Sequence, residues 1–190
     1  MKRFILHLML LLAFVGKAGA APIYQVSVNT ATLSGFSGYL DFLFLGLATA
    51  TPAQATVSNL AGDFTGADQV FGDVSGTAAT GFVIGNSTGW NELALGANFG
   101  GLFTFDVEFS TALPSGDGTT LSVALLDSAF NYLGTAADIV TFALQPGSAT
   151  AVVADDAFAQ VAAVPEPSVL LLIGLGLILL GLLRLRKPLF

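Results

Sequence analysis

Gly101-Leu102-Phe103-Thr104-Phe105-Asp106-Val107-Glu108-Phe109 is the stretch whose reading decides the fold. Successive side chains of an extended chain point to opposite faces, so Phe103, Phe105, Val107 and Phe109 share one face while Thr104, Asp106 and Glu108 share the other. That pattern belongs to an antiparallel strand with one face on a core and one in water. Outward from it the same signature recurs. Residues 24–29, 38–45, 55–60, 69–74 and 81–85 on the N-terminal side are short, β-branched or aromatic, and bounded by Gly, Asn, Asp, Ser or Pro. On the C-terminal side 119–127, 139–144, 149–153 and 158–163 read the same way. No stretch between Ala21 and Val164 keeps a period of 3.6 over three turns, although residues 127–137 have room for a short helix or turn. About ten short strands separated by turn signals predict an all-β domain, an antiparallel two-sheet sandwich of the jelly-roll kind.

Composition agrees. The chain has 190 residues, 54% of them apolar and 10% charged, with 22 Gly and 16 Phe, far too hydrophobic for a disordered chain. Where the charges fall says more than their sum. Lys2, Arg3 and Lys17 lie at one end, Arg184, Arg186 and Lys187 at the other, and no Lys, Arg or His occurs between Ala18 and Leu183. The acids Asp41, Asp63, Asp68, Asp73, Glu92, Asp106, Glu108, Asp117, Asp127, Asp138, Asp155 and Asp156 all fall inside that interval. Such a domain repels phosphate backbones, which excludes nucleic acid as a partner. No carboxylate in it has a basic side chain to pair with, so nearly all are expected in water or on backbone N–H groups.

The two ends read as targeting segments. Residues 1–20 carry Lys2 and Arg3, an apolar run and then small residues, the n, h and c regions of a secretory signal peptide, with Ala18 and Ala20 as the signal peptidase site. Residues 21–163 are the β-sandwich domain and 164–190 a C-terminal signal. Within the latter, Pro165-Glu166-Pro167 precedes an apolar run at 169–183 and a basic tail at 184–190. As a transmembrane helix the run would reach about 22 Å at 1.5 Å per residue, short of a ~30 Å hydrocarbon core. Arg184, Arg186 and Lys187 form the basic stop that leaves the tail in the cytoplasm and the acidic domain outside. A short span of this kind suits a temporary handle, and the two prolines hold the segment around Glu166 extended, as a protease at the membrane face requires.

Val164-Pro165-Glu166-Pro167-Ser168, the apolar run and Arg184-x-Arg186-Lys187, in this order after an N-terminal signal peptide, resemble the PEP-CTERM sorting signal of exopolysaccharide-producing Gram-negative bacteria. The resemblance implies an exosortase as partner, a membrane cysteine transpeptidase that removes the tail. It also implies transient anchoring in the inner membrane, then delivery to the cell surface or the extracellular biofilm matrix. The domain itself is similar to a subgroup of small exported β-domains in its Tyr24-Gln25-Val26-Ser27-Val28-Asn29 opening and Ser37-Gly38-Tyr39-Leu40-Asp41-Phe42 strand. The turns Gly72-Asp73-Val74-Ser75-Gly76 and Gly85-Asn86-Ser87-Thr88 belong to the same likeness. That second resemblance implies no activity.

The side chains offer little chemistry. With no cysteine anywhere and the one histidine, His7, inside the signal peptide, thiolate and imidazole sites and a Ser-His-Asp triad are ruled out for the mature domain. Asp106 and Glu108 share a strand face, but nothing around them would separate their pKa values as glycoside hydrolysis needs. No catalytic residue and no enzyme activity are expected. No cofactor is expected either, with calcium the one candidate because hard oxygen ligands are available. Asp63, Asp68 and Asp73, and the pair Asp155-Asp156, are its candidate ligands, although none matches a metal-loop spacing. Trp90, the one tryptophan, lies in the loop-like Asn86-Ser87-Thr88-Gly89-Trp90-Asn91, where an exposed ring could stack on a sugar of an exopolysaccharide. The competing expectation, and the favoured one for a lone Trp, is a ring folded back to close one end of the sandwich. Export, sorting and the absence of catalytic side chains favour a structural or adhesive matrix component; a carbohydrate- or calcium-binding module is the alternative.

Overall fold

A computed structural model describes residues 21–47, 49–110 and 115–164, together with Ile173, Gly174, Gly176, Leu177, Ile178 and Gly181. Among them, Ala21–Val164 forms one compact unit. Its first six strands are β1 (Ile23–Asn29), β2 (Ser37–Gly46), β3 (Gln54–Ala61), β4 (Gln69–Phe71), β5 (Val74–Thr77) and β6 (Gly81–Gly85). The other six are β7 (Asn91–Asn98), β8 (Leu102–Phe109), β9 (Thr119–Asp127), β10 (Val140–Leu144), β11 (Ala151–Ala154) and β12 (Ala159–Val164). They form two six-stranded sheets, in the orders β12-β1-β8-β3-β6-β5 and β11-β10-β9-β2-β7-β4. Every pair of neighbouring strands is antiparallel.

The side-by-side sets β1-β8-β3-β6 and β2-β7-β4 are those of a jelly roll, as the alternating pattern predicts. Strand β5 departs from it by pairing with β6, and β9 to β12 widen both sheets. The strand that decides the reading, β8, sits third in the first sheet between β1 and β3, with Phe103, Phe105, Val107 and Phe109 buried and Asp106 and Glu108 half-exposed.

Two features differ from the sequence expectation. Residues 69–74 are two strands in different sheets, because Gly72 takes φ +74 and turns the chain between β4 and β5. Only glycine holds that conformation freely, and a Cβ there would also run into the Trp90 carbonyl. Strand β7 has no counterpart in the pattern of periods. Asn91 to Ala97 are buried on both faces, so no alternation with exposed residues exists to be read. The segment before β4 pairs with the end of β7 and covers its outer face at Gly96, where a Cβ would meet Thr65 and Ala67. There Thr65 N donates to the Gly96 carbonyl at 2.8 Å, Gly96 N to Asp68 Oδ1 at 3.2 Å, and Asn98 N to the Asp63 carbonyl at 2.9 Å.

Between the sheets lies an aromatic core. Phe42 of β2 and Phe105 of β8 meet edge-to-face at 4.9 Å, Tyr24 meets Phe142 at 5.2 Å, and Phe109 meets Phe142 at 5.7 Å. Phe42, Phe44, Phe103, Phe105 and Phe142 are fully buried, each stabilising the fold by roughly 1.5–3 kcal/mol before entropy costs.

Several acids organise turns, as expected of carboxylates without cations. Asp127 Oδ1 accepts the backbone N–H groups of Ala129 and Asn131 at 2.8 and 2.9 Å, and Asp155 Oδ1 accepts that of Ala157 at 3.0 Å. The described C-terminal residues are helical; among the described residues no helix is long and apolar enough to cross a membrane. Residues 1–20 with Ala18 and Ala20, the motif Pro165-Glu166-Pro167, and Arg184, Arg186 and Lys187 lie outside the described residues.

Candidate functional site

The outer face of the second sheet holds the exceptions to the expectation that nearly all acids lie in water or on backbone N–H groups. Asp41 lies between the core residues Leu40 and Phe42 of β2, and the two-residue period turns it to the opposite face. It is nevertheless only 5% exposed, and Glu92 on the neighbouring β7 only 7%. In the ladder Asp41 stands opposite Ala94 and Ala124, and Glu92 opposite Leu43 and Phe71. Asp41 and Glu92 are thus diagonal neighbours, close enough for their carboxyl groups to hydrogen-bond. Burial first, then the charge and hydrogen bond of Glu92 and the charge of Asp138, push the Asp41 carboxyl up to about 8. At neutral pH Asp41 therefore keeps its proton. Among the described residues Asp41 Oδ1 has no hydrogen-bond partner.

Aromatic side chains surround this pair. Trp90 Nε1 donates to Glu92 Oε2 at 2.6 Å while its ring stays 55% exposed. On the other flank the Tyr132 hydroxyl donates to Asp138 Oδ1 at 3.1 Å. Partial burial and the Asp138 charge raise the Tyr132 phenol above its ordinary value. Phe130 stacks on Tyr39 at 4.8 Å, and the Tyr39 hydroxyl accepts from Gln69 Nε2 at 2.7 Å. Phe71, opposite Glu92, is also exposed.

Local hydrogen bonds hold the flanks in place. Asn91 is fully buried with both ends of its amide used. Its Nδ2 donates to the carbonyls of Phe44 and Thr88, and its Oδ1 accepts Asp73 N at 2.9 Å, which pins the turn presenting Trp90. On the far side Asp127 gathers N–H groups from the turn that carries Phe130 at φ +62. Those bonds hold the Asp127 carboxyl below its ordinary range, Asn131 foremost.

The residues singled out in the sequence take separate places. Trp90 is not folded back to close an end of the sandwich, because its indole N–H is held by Glu92 at the surface. Asp63 Oδ2 accepts from Asn98 Nδ2 at 3.3 Å, Asp68 from Gly96 N, and Asp73 Oδ2 from the Ser87 hydroxyl at 2.6 Å. The three aspartates are not brought together, and among the described residues no group of three acids could hold a metal ion. Asp106 and Glu108 face outward from the first sheet, with Asp106 Oδ2 accepting from Asn59 Nδ2 at 2.7 Å. Sequence reasoning missed Asp41, Glu92, Tyr132 and Asp138. The signal present was a lone acid inside an aromatic strand, Leu40-Asp41-Phe42, in a chain segment with no cation to accompany it.

The described unit is therefore a jelly-roll sandwich without basic side chains, bearing buried paired carboxyls under exposed aromatic rings on one outer face. Residues 163–187 match the family model described as the PEP-CTERM protein-sorting motif. The chain thus carries the sorting signal that its C-terminal residues resemble, the signal that exosortases recognise, which marks an exported protein transiently anchored through its C-terminal region. Neither the curated proteins nor the solved structures include a match to this chain.

Proposed function

We propose that the chain is an exosortase-processed structural or adhesive protein of the cell surface or extracellular matrix of an exopolysaccharide-producing Gram-negative bacterium, its β-sandwich being the delivered, non-catalytic product. The match of residues 163–187 to the sorting motif carries this reading. In support, the sequence from Ala21 to Val164 holds no Cys, His, Lys or Arg, a poor set for nucleophilic catalysis, and the one carboxyl shifted toward neutral pH, Asp41, is buried with Glu92 away from any substrate. Cell fractionation with intact-mass measurement tests it, comparing the wild-type chain with Glu166→Ala. The wild type is expected at the surface or in the medium at reduced mass, and the variant in the membrane fraction at full mass. Equal distribution at equal mass sinks the proposal.

A second reading, a carbohydrate-binding face, is favoured by one observation. Trp90 is 55% exposed and its ring is fixed through Glu92, a pre-oriented platform for stacking on a sugar. The domain is acidic, so the polymers it suits are neutral or cationic. Titration of Trp90 fluorescence with the host exopolysaccharide tests this reading; emission unchanged by the polymer ends it.

A further inference from the structure

The sequence matched by the sorting motif begins at Ala163, yet β12 runs on to Val164. No spacer separates the folded domain from its signal. Ala163 is paired with Tyr24, and Val164 with Ile23, at the start of β1.

A processing enzyme binds its substrate as an extended segment, through backbone N–H and C=O groups on both sides of the cut. Groups already committed to a ladder with β1 are not available for that. Strand β12 lies at the edge of its sheet, held by β1 on one side only, and its two halves are held unequally. Ala159 is buried opposite Val28, and Val161 packs against the core opposite Val26. Ala162, Ala163 and Val164 are exposed. The second half therefore buries little apolar surface and opens at small free-energy cost, while the first half stays anchored.

We infer that the end of β12 serves two partners in turn, and that Ala163 and Val164 separate from Tyr24 and Ile23 before the exosortase seats the signal. The inference rests on the proposed sorting function, and it makes the β1–β12 ladder a determinant of processing rate.

The chain contains no cysteine, so the double variant Ile23→Cys with Val164→Cys, which stand opposite each other, gives a single defined crosslink at a separation a disulfide spans. The full-length chain would be followed by mass in an exosortase-bearing host. The oxidised double variant is expected to be processed at least roughly tenfold more slowly than the wild type, and each single variant at the wild-type rate. Inserting Gly-Ser-Gly-Ser-Ala-Val after Val164 in the crosslinked variant duplicates the last two residues beyond the clamp and is expected to restore processing. Crosslinked chain processed at the wild-type rate overturns the inference, as does failure of the insertion to rescue it. Should thiol labelling show that the crosslink has not formed, the insertion in the wild-type background decides: faster processing supports the inference, and an unchanged rate overturns it. A wild type never processed in that host refutes the sorting function instead, so the two failures are distinguishable.

Discussion

Asp41 has its carboxyl pushed up to about 8 by burial, by Glu92 and by Asp138, and pH reads out this effect directly. The group binds its proton more tightly folded than unfolded, where its value is the ordinary 3.8. Its stabilising contribution is therefore complete below about pH 4 and is lost progressively as pH rises to about 8. Thermal melts across that window should show falling stability, and Asp41→Asn should flatten the profile and gain on the order of a few kcal/mol at pH 8. An Asp41→Asn profile that tracks the wild type would refute the raised Asp41 carboxyl. Asn91 makes the opposite prediction, because its buried amide satisfies Phe44, Thr88 and Asp73 at once. Asn91→Ala should cost roughly 1–3 kcal/mol in denaturant unfolding and lower the fluorescence anisotropy of Trp90, whose turn it holds. At this scale the sequence was least legible. Solvation is the ordinary fate of an acid, and although Leu40-Asp41-Phe42 marks Asp41 as unusual, nothing in Trp90-Asn91-Glu92 announces that a second carboxyl from a distant strand will meet it.

The strands whose alternation is bounded by water on one side, β8 above all, could be read directly. Strand β7 could not, because Glu92, Ala94 and Gly96 on its outer face are buried like the residues of its inner face, and small residues read as loop until tertiary cover is known. The turn at Gly72 was hidden for a related reason: β4 and β5 look like one strand until their pairing with β7 and β6 separates them. Close packing between elements also gives a test. At Gly38 of β2 a Cβ would press on the backbone of β9, at the Leu126 carbonyl and 2.9 Å from the Asp127 Cα. Backbone cannot step aside as a flexible side chain can, so Gly38→Ala should destabilise by roughly 1–3 kcal/mol while far-ultraviolet dichroism stays that of a β protein. A neutral effect on the melting temperature would mean that β2 and β9 are further apart than described.

Taken whole, the unit from Ala21 to Val164 is a polyanion folded around phenylalanine, with twelve acids and no basic side chain. Like charges that have no internal counterions repel across the surface, and salt screens them. Raising sodium chloride from about 0.05 to about 1 M, which shortens the screening length several-fold, should therefore raise the melting temperature; a fall would show that the charges are compensated locally. Calcium at millimolar concentration should do no more than salt of equal ionic strength, given that Asp63, Asp68 and Asp73 each hold separate partners. A larger, EDTA-reversible rise would reveal a specific site. Ile23 lies opposite Val164, and that pairing decides how the unit bears force. Tension applied through the two ends of the unit pulls neighbouring antiparallel strands apart from one end, loading their hydrogen bonds one pair at a time rather than together. A domain so connected yields at low load when stretched end to end. In a matrix it would serve better hung from one end or gripped by a face than as a link in a tensile chain.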